Sequence, residues 1–136
     1  MKTKLITYER MIMEIAKLGD AGLNEPACIM AGVGEIDESS ENYIDGAGVV
    51  SITKGPQGSL RIVVGDSGSM TWRKVITGIR NAMKGRLDSL AAVEIGYRNV
   101  SSLYDFFDEA VSPRAIEDCT MLDDDTIWNI TLGPKV

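Results

Sequence analysis

The chain has 136 residues, of which 44% are hydrophobic and 25% charged, and it carries a net charge of −6. These values fit one globular domain with its own core and exclude a disordered tract. No apolar run approaches the ~18 residues of a membrane span, and the acid excess disfavours nonspecific nucleic-acid binding by the molecule as a whole.

The first twenty residues hold no uninterrupted apolar stretch, because Glu9, Arg10 and Glu14 break it. That argues against a signal peptide and for a cytoplasmic protein. Within this stretch Tyr8, Met11, Ile12, Ile15 and Leu18 recur at three- and four-residue steps, which predicts an amphipathic helix over 7–18 with Gly19 as a left-handed cap and a short loop to Pro26. Residues 27–33, ACIMAGV, read as a buried strand. An acidic loop with Glu35, Asp37, Glu38, Glu41 and Asp45 follows, and Asp45-Gly46 signals a turn. Residues 49–53 and 59–64 are two β-rich runs joined by KGPQG, the pattern of a hairpin. In its second strand Leu60, Ile62 and Val64 share one face, with Arg61 and Val63 on the other.

From Trp72 onward the spacing turns helical through Val75, Ile76, Ile79, Met83, Leu87 and Leu90, predicting a long helix over 71–95. Gly78 and Gly85 imply either close packing on that side or a bend. Ser101 or Ser102 opens a helix over 101–111, which Pro113 stops. Residues 114–125 are ambiguous. The alternation of DTIWNITL, with Trp128, Ile130 and Leu132 on one face, predicts a last strand able to pair with the hairpin. The expected fold is therefore a single α+β domain over 1–136. It has an antiparallel sheet of three to five strands around a central hairpin, packed by one long and two shorter helices.

Chemistry is sparse. Gly65-Asp66-Ser67-Gly68 resembles, over four residues, the nucleophile loop of chymotrypsin-like serine proteases. That family's mechanism needs histidine as the base beside the serine, and this chain has none. The family's two many-stranded barrels also do not fit 136 residues with long helical patterns. Without histidine, and with Cys28 and Cys119 far apart in sequence, a structural zinc site is disfavoured. The acidic loop lacks the spacing of a calcium-binding loop, so no metal or cofactor is expected. The two cysteines read as small, mostly buried residues of a reducing compartment, and geometry decides whether they pair.

Charge is the stronger signal. Residues 70–87 carry Arg73, Lys74, Arg80, Lys84 and Arg86 with no acid, whereas residues 100–125 carry eight carboxylates against the single base Arg114. This asymmetry points to a non-enzymatic interaction protein: a small adaptor, inhibitor or assembly subunit meeting a protein partner through opposed charge. Its partner-binding residues would be Asp105, Asp108, Glu109, Asp123, Asp124 and Asp125, facing a basic surface. The size would suit a protein encoded by a virus or a mobile element. The alternative is capture of an anion or nucleotide by Gly65, Ser67, Gly68, Ser69, Arg73, Lys74, Arg80 and Lys84, where a glycine-rich turn leads into a helix. Homo-oligomerisation through the Gly78/Gly85 face could accompany either.

Overall fold

The computed structural model describes residues 5–33, 43–98, 103–104, 113–121 and 128–135. Seven strands are present among them: β1 (Cys28–Val33), β2 (Tyr43–Lys54), β3 (Leu60–Gly65), β4 (Ala92–Arg98), β5 (Leu103–Tyr104), β6 (Arg114–Met121) and β7 (Trp128–Lys135). Three helices accompany them: α1 (Tyr8–Ala16), α2 (Gly19–Leu23) and α3 (Trp72–Ala82). The strands form one mixed sheet in the order β1-β7-β6-β4-β3-β2, with the two-residue β5 added to β2. β1 also pairs with β2, so the six longer strands close into a ring. Closure pairs the two ends of the strand order, β1 and β2, with each other.

This replaces the expected antiparallel sheet of three to five strands. β3 and β4 run parallel, as do β1 and β7. The parallel β3–β4 pair follows from α3, which ends at Ala82 rather than running to 95 and so serves as the crossover of a βαβ unit. The backbone turns at Gly85, whose φ of +81° suits glycine. Residues 92–98 then alternate as a strand, with Val93 and Ile95 fully buried. Gly85 thus ends the helical path instead of bending it. Gly78 packs within the chain, where an added Cβ would lie 3.1 Å from the Ile52 side chain.

Other departures are local. Asp45-Gly46 is not a turn. It lies within β2 at a register shift against β1, where Ala47 pairs with Ile29 and Ile44 with Ala31, so the turn signal marks a β-bulge. The loop expected before Pro26 contains α2, entered at Gly19 with φ +74°. Within the expected 101–111 helix, Leu103 and Tyr104 pair with β2 as strand, and the rest lies outside the described residues. β6 occupies most of the ambiguous 114–125 segment. β7 forms as expected but pairs with β1 and β6 instead of the hairpin. The hairpin itself stands, β2 and β3 being antiparallel around a tight turn at Pro56–Gly58.

One core unites helices and strands. Met11 and Ile15 of α1, Trp72, Val75 and Ile79 of α3, and the inward residues of the sheet belong to a single buried cluster. At its centre Trp72 and Trp128 meet edge to face, with ring centroids 5.9 Å apart and planes at 85°. The chain before α1 seals a gap in the ring. Among the described residues β4 and β6 share the two pairs Ala92–Ala115 and Val93–Arg114. Beyond them Ile6 bridges the two sides, donating from its N–H to the Ile116 carbonyl at 3.0 Å and accepting from the Ala91 N–H at 2.8 Å. The Tyr8 hydroxyl locks the same junction by bonding both the carbonyl and the N–H of Ala92.

Candidate functional site

The segment between β3 and α3 is held from both sides. Gly68 packs directly on the backbone of Gly48 in β2, and a Cβ on Gly68 would fall 2.5 Å from the Gly48 carbonyl carbon. Only two glycines permit that approach. The Gly68 N–H donates to the Gly65 carbonyl at 3.0 Å, and the Met70 N–H donates to the Val49 carbonyl at 3.2 Å. On the other side the Met70 carbonyl accepts from Ala27, and the Trp72 N–H donates to the Glu25 carbonyl. Thr71, not Ser69 or Asp66, is the N-cap of α3, its hydroxyl accepting from the Lys74 N–H at 3.3 Å. The serine hydroxyls of the turn are therefore not used to start the helix.

Of the eight anion-site residues read from the sequence, Ser67, Gly68, Ser69 and Lys74 line one depression of about 330 Å³, joined there by Val50 and Met70. Gly65 is buried at the end of β3. Arg73 turns away, its guanidinium bonding Asn24 at 3.2 Å and reaching Asp20 at 3.9 Å. Arg80 and Lys84 lie further along the exposed side of α3 and its following turn. Six helical steps separate Lys74 from Arg80, about 9 Å along the axis. The basic segment therefore splits into a lysine at the depression and a separate exposed pair. Val50 and Met70 were missed by the sequence reading, but the Gly46-Ala47-Gly48 run in β2 was a legible sign that another backbone approaches there.

The outer face of α3 exposes Arg73, Lys74, Thr77, Arg80, Asn81 and, past its end, Lys84. Among the described residues the only ion pair on this face is Arg73–Asp20, between two well-exposed side chains where solvent screens the attraction. The six carboxylates expected to bind a partner, Asp105, Asp108, Glu109, Asp123, Asp124 and Asp125, lie outside the described residues, as do Glu35, Asp37, Glu38 and Glu41 of the acidic loop.

A second depression, about 390 Å³, lies between the chain before α1 and β6, lined by Leu5, Ile6, Thr7, Arg10, Glu117 and Asp118. It brings one cation together with two carboxylates. Nearby, Glu14 of α1 is buried and ion-paired with Lys17, and at 3.8 Å with Arg10. Cys119 is buried too, and its thiol is pushed up to about 12, first by burial and then by the charges of Glu14 and Asp118. No disulfide joins it to Cys28. No helix among the described residues is long and apolar enough to cross a membrane.

No family model matches this chain, and neither a curated protein nor a solved structure is similar to it.

Proposed function

We propose that this chain is a cytoplasmic interaction protein that docks a protein partner through opposed charge, with the outer face of α3 as one contact surface. One observation carries the reading. Arg80 and Lys84 project into solvent with no carboxylate partner among the described residues, while the opposite face of α3 is fixed in the core by Trp72, Val75 and Ile79. Folding uses the apolar side of the helix, and among the described residues no carboxylate compensates these two cations. Such charges contribute little to stability, yet they accelerate and orient encounter with an acidic surface. The carboxylates at 105–109 and 123–125 would present the opposite pole to a basic partner, or to the α3 face of a second copy.

Affinity capture from the source cells tests this at low and at high salt. The wild-type chain should retain a partner at low salt and lose it as salt rises, since exposed charges are screened beyond about 10 Å at 0.1 M. Arg80→Glu with Lys84→Glu should remove the acidic partner, and Asp123→Lys with Asp124→Lys and Asp125→Lys should remove the basic one. Capture unchanged by salt and by both reversals would refute the reading.

A further inference from the structure

The turn between β3 and α3 plays no part in docking through Arg80 and Lys84, yet backbone contacts to β2 and to the segment before β1 hold it in place. We propose that the depression it lines binds a small phosphomonoester. The Ser67 and Ser69 side chains are exposed at its rim, and Lys74 adds an ammonium. Because Thr71 caps the helix, the Ser69 hydroxyl is left for a ligand. Neither the Ser67 nor the Ser69 N–H donates to another backbone carbonyl among the described residues, whereas the N–H groups of Gly68 and Met70 are used to hold the turn in shape. Two hydroxyls and an ammonium supply three donor groups, which suits the three terminal oxygens of a phosphomonoester better than the two of a carboxylate. Val50 and Met70, both half-buried, offer a short apolar wall to the carbon body of the ester. The volume, about 330 Å³, sits at the small end of ligand pockets. Asp66, the acid that would repel a phosphate from this turn, is not among the lining residues.

The site does not depend on the helix end. The N–H groups of Trp72 and Lys74 are already taken by Glu25 and Thr71, so the donors are the turn and the lysine side chain. It meets the docking face at Lys74, but Arg80 and Lys84 do not line it.

Glycerol 3-phosphate and inorganic phosphate, titrated at constant ionic strength into the ¹⁵N-labelled chain, test the proposal, with sodium chloride as the control. Saturable shifts should appear at Ser67, Gly68 and Ser69, and glycerol 3-phosphate should bind more tightly than inorganic phosphate. Lys74→Ala should weaken binding about tenfold, and Ser67→Ala with Ser69→Ala should weaken it further, while Arg80→Ala leaves it unchanged. Lys74 is exposed, so its variant keeps the fold, which an unchanged melting temperature verifies. Shifts that never saturate, or that fall equally in Lys74→Ala and Arg80→Ala, would show a diffuse ion atmosphere and overturn the site. Equal affinity for the two probes would overturn the assignment to an ester.

Discussion

α1 and α3 are built alike. Each begins with a threonine whose hydroxyl accepts from the backbone three residues on, Thr7 from Arg10 and Thr71 from Lys74. Each of these threonines, or the residues beside it, is tied to a distant segment by an isolated bridge, Thr7 to Leu90 and Thr71 to Pro26. Each helix sends an apolar stripe into the same core. They differ on their polar sides. On α1, Arg10 and Lys17 converge on the buried Glu14, so the helix neutralises its own charges. On α3, Arg73 alone meets a carboxylate among the described residues, and that pair is open to water. Two helices of similar design thus differ in how many of their charges are paired among the described residues.

The largest test of their shared dependence on the core is Trp72→Ala. Removing this fully buried ring, and with it the contact to Trp128, should cost about 3–5 kcal/mol in urea unfolding. A loss under 1 kcal/mol would mean that α3 is not part of the common core. Smaller by severalfold are the caps: Thr7→Ala and Thr71→Ala should each cost about 1 kcal/mol. Equal costs would sharpen the likeness between the helices, and a negligible cost at one would break it.

Alkaline pH probes the α1 side separately. Burial pushes the Cys119 thiol up to about 12 in the fold, from 9.0 for an ordinary thiol. The folded state therefore keeps its proton where the unfolded state has lost it, so the thiol leaves stability unchanged below about pH 9 and erodes it between 9 and 12. The loss is on the order of 1 kcal/mol per pH unit. Cys119→Ala should flatten that decline relative to wild type, and an identical slope in both would refute it. The smallest effect belongs to the outer face of α3. Arg80→Gln with Lys84→Gln should change stability by less than about 0.5 kcal/mol. A substantial destabilisation would show these cations to be structural, like those of α1.

How much of this was legible in the sequence follows from how local each signal is. The stripe of α1 and the KGPQG hairpin depend on neighbouring residues, and both formed where expected. The long helix failed because Leu87 and Leu90 happened to continue the helical step of α3, hiding the alternation of Val93 and Ile95 that begins a strand. The sheet order was not readable at all. It depends on β1 finding β7 and on β6 filling the space between β7 and β4, pairings that leave no periodic trace in either partner. Four of the six residues lining the depression between β3 and α3 were legible for the same reason as the hairpin: Ser67, Gly68, Ser69 and Lys74 are neighbours in sequence. Val50 reaches it only because β2 folds back against Gly68.

The parallel pairing of β1 with β7 also sets a schedule. Ile29 waits for Trp128, and Val33 for Leu132. During synthesis the amino-terminal strands must leave the ribosome and remain without their final neighbour until nearly all the remaining described chain has been made. High contact order of this kind predicts slow folding, with a nascent intermediate whose unsatisfied strand is open to chaperones or to misassembly.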